Sequence, residues 1–326
     1  MKHANIIALL SPVLVCVNFV TIVLTSVFCS LWIPIVLSVI LICLNDYYEC
    51  LAYKGLLIQK NTIVPQSFTL VSYNVNLAYK ELSSQEKAQK IAAFLLNEDA
   101  DLVLLQEYNP LLFPVVQHQL EKKYRYGSPF KMADRYKAIY SRYPVSDYIQ
   151  LKDEWDYGKK VEGGEDKGYL PICSMTVSFD SYELCVVNCH LHSNNFSIAL
   201  RKLKRKEVGL LYFFKEAINL LLQGIEERER QTRLLAEYVR GINRPLLICG
   251  DMNEVSGSSI MKKFTGKVLK DAWWQKGRGF GFTLATKGMR WRLDHILYSE
   301  GIKIDLMKVV RSKLSDHRPI TCKFHL

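Results

Sequence analysis

The stretch Leu246-Leu247-Ile248-Cys249-Gly250-Asp251-Met252-Asn253 decides the fold. Its apolar residues after Pro245 read as a short buried strand, and Gly250 reads as the point where the backbone turns so that Asp251 and Asn253 emerge together at the strand's C-terminal end. A carboxylate and a carboxamide two residues apart can hold a water or a hard cation with one and a phosphoryl oxygen with the other. The bland alternative is a strand followed by an ordinary turn, because Asp and Asn hydrogen-bond their own backbone there. The rest of the chain decides between the two.

Working outward, other apolar runs also end in polar groups. Tyr182 to Cys189 reads as a strand delivering His190 and His192, which would share one strand face; of the two, His192 reads as a rim histidine satisfied by its surroundings. Trp291 to Tyr298 reads as a strand carrying Asp294 amid apolar residues, where an acid requires a partner or a metal. Leu314 to Pro319 is a polar turn before a last strand from Ile320 to Phe324. It holds His317, the one histidine placed like a general acid or base, which Asp294 could orient through its other ring nitrogen.

Upstream, Phe68 to Val75 is an apolar, β-branched strand containing Asn74, and Asp101 to Leu105 is a second, ended by Gln106 and Glu107. Between them Ser83 and Glu86 have capping-box spacing, and Ala88, Ile91 and Leu95 recur at helical spacing. Strand, helix and strand in this order suggest an α/β sandwich in which Asn74 and Glu107 finish at one edge. Ala138 to Pro144 and Leu170 to Phe179 offer further strands, separated by a charged loop at 153–168. Arg201 to Arg240 opens with six residues of which five are basic and continues into an aromatic and leucine-rich amphipathic segment. That segment suits a membrane surface, a cap over the cleft, or a long helix packed on the domain. Glu226 to Val239 reads as the helix returning to the 246–249 strand.

The N-terminal part has another composition. No charged side chain occurs from Ile6 to Leu44, about twice the roughly 20 residues that cross a bilayer as a helix. Two spans joined near Cys29 to Trp32 are expected, so that residues 1–45 form a transmembrane hairpin in the lipid bilayer, 46–66 a linker and 67–326 the catalytic domain. A hairpin puts both ends on one side. The expected side is the cytoplasm, in keeping with the basic remainder and with nine cysteines that lack metal spacing and lie largely in apolar runs.

Of the net charge of +11, residues 1–60 contribute only three lysines against two acids, so the domain itself is strongly basic. Such a surface favours anionic partners: nucleic acid, acidic headgroups or phosphorylated small molecules. Nothing in the sequence signals a protein partner or an oligomer.

Collected in order, the polar strand-end residues are Asn74, Glu107, His190, Asp251, Asn253, Asp294, Asp316 and His317. The set is rich in hard oxygen ligands and free of cysteine, which suits Mg²⁺ or Mn²⁺ rather than zinc. There is no phosphate-binding glycine loop, no dinucleotide fingerprint and no nucleophile-plus-base pair, so metal-assisted attack of water on a phosphoester is the natural reaction.

The blocks Ser72-Tyr73-Asn74-Val75, Leu105-Gln106-Glu107, Asn188-Cys189-His190-Leu191, Gly250-Asp251-Met252-Asn253, Arg292-Leu293-Asp294 and Ser315-Asp316-His317-Arg318-Pro319 resemble the endonuclease/exonuclease/phosphatase superfamily. The resemblance covers residues 67 to 326 with its blocks in the family's order, and a membrane hairpin ahead of the domain looks like bacterial members. It implies a four-layer α/β/β/α sandwich with the site at one end of two central sheets, and a Mg²⁺-dependent phosphodiesterase. By carry-over, Glu107 would bind the metal with help from Asn74, and Asp316 would sit in or beside its shell. Asp294 would bond His317, which would act on the phosphate or its attacking water. Asp251 would orient or deprotonate that water, Asn253 would stabilise the phosphoryl oxygens, and His190 would contact the phosphate or leaving group. Asn76 and His190 stand where apurinic endonucleases carry aspartate and tyrosine, which argues against apurinic repair. The rival expectation is a tethered scaffold that binds a phosphate ligand without turnover.

Overall fold

The computed structural model describes residues 67–77, 84–128, 137–152, 169–194, 209–265, 269–286 and 289–326. The expected hairpin, the linker, the 153–168 loop and the basic run at 201–206 lie outside the described residues. No helix among the described residues is long and apolar enough to cross a membrane.

In chain order the elements are β1 (Phe68–Leu77), α1 (Gln85–Asn97), β2 (Leu102–Tyr108), α2 (Pro114–Leu120), β3 (Tyr126–Gly127), β4 (Lys137–Ser141), β5 (Val145–Lys152), β6 (Tyr169–Phe179) and β7 (Tyr182–His190). They continue with α3 (Leu210–Arg240), β8 (Leu246–Asp251), α4 (Ser259–Phe264), β9 (Lys270–Asp271), α5 (Ala272–Lys276), β10 (Leu284–Thr286), β11 (Met289–Trp291), β12 (Asp294–Tyr298), β13 (Lys303–Val309) and β14 (Ile320–His325). One six-stranded sheet has the order β13-β14-β1-β2-β4-β3, and a second has β5-β6-β7-β8-β12-β9. Both are mixed: β1 runs parallel to β2 and β7 to β8, while β14 and β12 pair antiparallel.

Three apolar layers hold the elements together. Between the sheets lie Leu70, Leu104, Val186, Leu247, Cys249, Ile296 and Phe324. Outside the first sheet, Val71, Tyr73 and Leu105 pack on Ile91 and Leu95 of α1 and Val116 of α2. Outside the second, Val187 and Ile248 pack on Leu235 and Val239 of α3 and Phe264 of α4. The alternation along β1 and β2, where neighbouring residues enter opposite layers, is the strand period at work. Helices therefore flank two packed sheets, as expected. Each buried aliphatic side chain such as Ile91 or Leu95 adds about 1.5–3 kcal/mol to that packing.

Several local expectations need correction. The helix cap is Ser84, whose Oγ accepts from Lys87 N at 3.2 Å, one residue later than the box at Ser83. Gly250 does not turn the chain; β8 runs through it to Asp251. Its φ is +137°, and a Cβ there would lie 1.9 Å from the Cys189 carbonyl oxygen, so the strand approaches β7 too closely for any other residue. Asp294 opens β12 rather than lying inside a strand from Trp291, because β11 has already ended. His190 ends β7, so His192 has left the strand and does not share its face. Residues 210–240 form one helix, packed on the domain from Leu221 onward, whereas Tyr212, Phe214 and Ile218 are exposed.

A buried polar bridge joins the sheets beneath their shared edge. Gln106 Nε2 donates to Ser72 Oγ at 3.1 Å and to Asn188 Oδ1 at 2.7 Å, while Asn188 Nδ2 donates to the Leu105 and Ala138 carbonyls. Such groups stay buried because they are bonded, and their directionality fixes how the two edges face one another.

Candidate active site

Register alone assembles half of the site. Across the second sheet His190 of β7 stands opposite Asp251 of β8, and Asp251 stands opposite Asp294 of β12. Residues far apart in sequence thus form one row along a strand-end edge. Asp251 is its hub: Oδ1 accepts from Asn253 N at 2.9 Å, and Oδ2 accepts from Asn74 Nδ2 at 3.0 Å. The same Oδ2 lies 3.5 Å from His317 Nε2 and 3.7 Å from His190 Nε2.

The first sheet supplies the facing edge. Asn74 Nδ2 also donates to Glu107 Oε1 at 2.9 Å, so one amide draws together carboxylates from different sheets. Glu107 Oε1 lies 3.5 Å from His190 Nε2. Glu107, Asn76 and Asn253 all have positive φ, near +50°, and β1 and β2 lose register between Asn74 and Leu77. Asn tolerates this region, but for Glu107 it stores about 1–3 kcal/mol of strain that the surrounding bonds must offset.

His317 enters from the turn before β14. It is held by backbone pairing with Leu284, and its Nδ1 lies 2.8 Å from Asp294 Oδ2. The Thr283 hydroxyl accepts from the backbone N–H of Leu293 and Asp294, fixing the approach of β12 to this histidine. Burial pushes the imidazole pKa down, but attraction to Asp294 and then Asp251 outweighs it and holds His317 up at about 10. The same attraction holds Asp294 below the usual carboxylate range against its burial. Asp251 goes the other way: burial, reinforced by Asp294, raises it above the ordinary value despite His317 and His190.

The structure brings together Asn74, Glu107, His190, Asp251, Asp294 and His317. Asn253 is adjacent through its backbone, with Nδ2 donating to the Leu191 carbonyl at 2.8 Å. Asp316 stands apart from the buried acids: it is exposed and accepts from Asn76 Nδ2 at 3.2 Å. Asn74 presents its amide nitrogen to the carboxylates of Glu107 and Asp251 while its oxygen accepts from Asn76 N at 3.2 Å. Lys87 escaped sequence reading. Its ammonium donates to the Asn76 carbonyl and lies in the field of Asp316 and Glu107. Its signal was a lysine beside the Ala88, Ile91, Leu95 stripe, in the first turn of the helix that follows an Asn74-bearing strand. His192, read as a rim histidine, is half-buried, and its backbone N–H donates to Gln231 Oε1 at 2.9 Å.

The donor set fits a divalent cation. One ligand atom each from Glu107, His190 and Asp251 lie within 4.8 Å of one another, and the same holds for Asp251, Asp294 and His317. Asp251 and Asp294 are both buried and share the His317 imidazole, with Glu107 close by, a set of acids that a bound cation would help to balance.

A profile of the Endonuclease/Exonuclease/phosphatase family matches residues 71–317. This chain belongs to that family. Its members are metal-dependent hydrolases of phosphoester bonds. Among curated relatives, the chain is 22% identical over 261 residues to the CCR4-Not complex 3'-5'-exoribonuclease subunit Ccr4 of Kluyveromyces lactis, covering 68% of this chain and 31% of that protein. The same subunit of Candida glabrata is 25% identical over 255 residues, with 67% and 27% covered. The chain thus spans less than a third of the length of these relatives. Among solved structures of the same fold, D. rerio TDP2 complexed with a single-strand DNA product has a TM-score of 0.57 at 17% identity, covering 80% of this chain and all of that one. The human nocturnin catalytic domain with bound sulfate has a TM-score of 0.54 at 16% identity, with 81% and 94% covered.

Proposed function

We propose that this family member is a Mg²⁺- or Mn²⁺-dependent phosphodiesterase whose substrate is a nucleic-acid strand. The observation that carries the reading is the row His190, Asp251, Asp294 set against Glu107 and Asn74, with His317 Nε2 directed at Asp251. With substrate bound, the imidazolium would donate to a phosphoryl oxygen and the carboxylate would accept from the attacking water. The exoribonuclease relatives and the DNA-bound TDP2 structure support nucleic acid over other phosphoesters, and the +11 charge suits any anionic substrate.

Glu107, His190 and Asp251 would hold the cation, which when bound polarises a phosphoryl oxygen and stabilises negative charge on the oxygens that exchange. The remaining steps belong to the protein. Asp251, raised toward neutrality by its burial, orients the attacking water and takes its proton. His317, kept protonated and correctly turned by Asp294, donates Nε2–H to a phosphoryl oxygen as charge develops there. Asn253, locked by Asp251 and Leu191, offers its remaining amide proton to the same group.

Tethering through residues 6–44 remains part of this proposal, with the apolar run as its support and a bacterial inner membrane, domain on the cytoplasmic side, as its expected place. A tethered enzyme would act near a bilayer, and phospholipid headgroups are the competing substrate. The test is hydrolysis by the purified full chain, wild type beside His317→Ala, in Mg²⁺, Mn²⁺ or excess chelator. The substrates are bis-p-nitrophenyl phosphate, a single-stranded oligonucleotide and mixed phospholipid micelles. Metal-dependent, salt-sensitive cleavage of the oligonucleotide that the substitution abolishes is the expected result. Preference for micelles would replace nucleic acid with lipid, and silence on all three from a folded chain would overturn the enzyme.

A further inference from the structure

Arg228 is the largest side chain that the described structure buries completely. It lies on the inward stripe of α3 formed by Leu221, Ile225, Thr232, Leu235 and Val239, where spacing calls for an aliphatic residue. A guanidinium there is costly unless every donor direction is used. Its Nε donates to Glu254 Oε1 at 2.7 Å, and one terminal nitrogen donates to the His192 carbonyl and to Asn194 Oδ1, both at 2.8 Å.

These partners come from two separate loops. His192 and Asn194 belong to the segment leaving His190, and Glu254 directly follows Asn253. Gln231, one turn on, accepts from the His192 backbone N–H at 2.9 Å. Gly224, one turn before, lets the helix come close: a Cβ there would lie 2.6 Å from Asn194 Oδ1 and 3.0 Å from the arginine. On its far side the Glu254 carbonyl accepts from His295 Nε2 at 2.8 Å, and His295 directly follows Asp294. Three site residues, His190, Asn253 and Asp294, are therefore each followed within two positions by a group in one continuous buried network that never enters the site.

We infer that Arg228 and Glu254 form a positioning pair that sets how far the loop after His190 stands from the loop after Asn253, and so the width of the opening that receives the phosphate. The pair touches no substrate. Its kinetic consequence rests on the phosphodiesterase reading, while its structural consequence does not.

The discriminating variant of the full chain is Arg228→Met with Glu254→Met. Replacing a buried ion pair by apolar groups of similar volume is often neutral or stabilising, so a pair that served packing alone would be replaced without loss. The expected result is a thermal midpoint close to wild type together with backbone amide exchange at 191–194 and 252–255 at least about tenfold faster, β7 and β8 being unchanged. Turnover of bis-p-nitrophenyl phosphate should fall about 10- to 100-fold in kcat with KM little altered, the usual range for outer-shell partners of a metal site. Arg228→Lys is the second variant. It keeps the charge but cannot reach Glu254, His192 and Asn194 together, and it should show the same loop exchange. Wild-type exchange in both variants would overturn the inference whatever the turnover. Fast loop exchange in a chain whose wild type hydrolyses nothing would uphold the pair and reject the phosphodiesterase.

Discussion

Two buried carboxylate–imidazole pairs lie back to back on β12 and do opposite things. Asp294 and His317 meet at 2.8 Å on the site side; Asp271 and His295 meet at 3.4 Å on the other. Asp294 and His295 are consecutive, so the strand's alternation sends one to each face. The second pair is close to saturated, though the buried Nε of Arg292 beside it lacks a partner among the described residues. Asp271 Oδ1 accepts from Trp273 N at 2.8 Å and Arg292 at 3.3 Å, and Oδ2 accepts from Arg292 at 2.8 Å. His295 Nε2 lies 2.8 Å from the Glu254 carbonyl, and Nδ1 lies 3.0 Å from an Arg292 guanidinium nitrogen and 3.4 Å from Asp271 Oδ2. Around Asp294 the charges are shared differently: His317 stands against both Asp294 and a second buried carboxylate, Asp251. A near-saturated pair makes structure, whereas two buried carboxylates sharing one imidazole are an arrangement that a bound cation would relieve.

The comparison breaks most easily at Asp251. Asp251→Asn should lower kcat on the order of 10³-fold, because it removes the proton acceptor and a cation ligand together. It should change the thermal midpoint little, since relief of a buried carboxylate held above its ordinary pKa offsets the acceptor lost toward Asn74 or Asn253. A midpoint that falls by several degrees would mean that Asp251 is as structural as Asp271.

The reverse pattern belongs to Asp271. Burial would push its carboxyl up, but Arg292, and then His295, hold it well below the usual range. A depressed folded value means stability that is complete above the unfolded value near pH 4 and is lost as pH falls below it. Asp271→Ala strands Arg292 in the interior and should cost about 3–5 kcal/mol at neutral pH, measurable by urea unfolding. The same substitution should flatten the dependence of stability on pH between about 4 and 2, the window in which a depressed aspartate titrates. An acid limb unchanged by the substitution would move the titration elsewhere.

What the sequence disclosed follows the same division. Polar residues that end apolar strands stand out against their surroundings, which made Glu107, His190 and Asp251 legible as candidates; Asp294 stood out as an acid amid apolar residues and His317 within a polar turn. The row that joins them was not, since register between β7, β8 and β12 is a long-range property. Edge strands β5 and β13 escaped because each pairs on one side only and its half-exposed pattern is mixed. Asp271 sits on a two-residue strand, and Arg228 in the run Glu226-Glu227-Arg228-Glu229-Arg230 looks like any solvated helix face. Neither carries a local sign of burial. Asn74 was identified as a site residue, but which atom it turns toward the carboxylates depends on where Asn76 N lies.

The finest discrimination comes from making one substitution twice. Glutamine can imitate Nε2 of a histidine as a donor but can neither carry charge nor pass a proton. His295→Gln keeps the bond to the Glu254 carbonyl and loses only the Nδ1 contacts with Arg292 and Asp271, which still have each other; the expected cost is about 1–2 kcal/mol of stability, with kcat within roughly threefold of wild type. His317→Gln presents a neutral donor where a cation is needed and should abolish turnover without unfolding the chain. If both variants lose activity alike, the histidine behind β12 is coupled to the chemistry through Glu254, and the near-saturated pair has a share in the site that its geometry alone does not require.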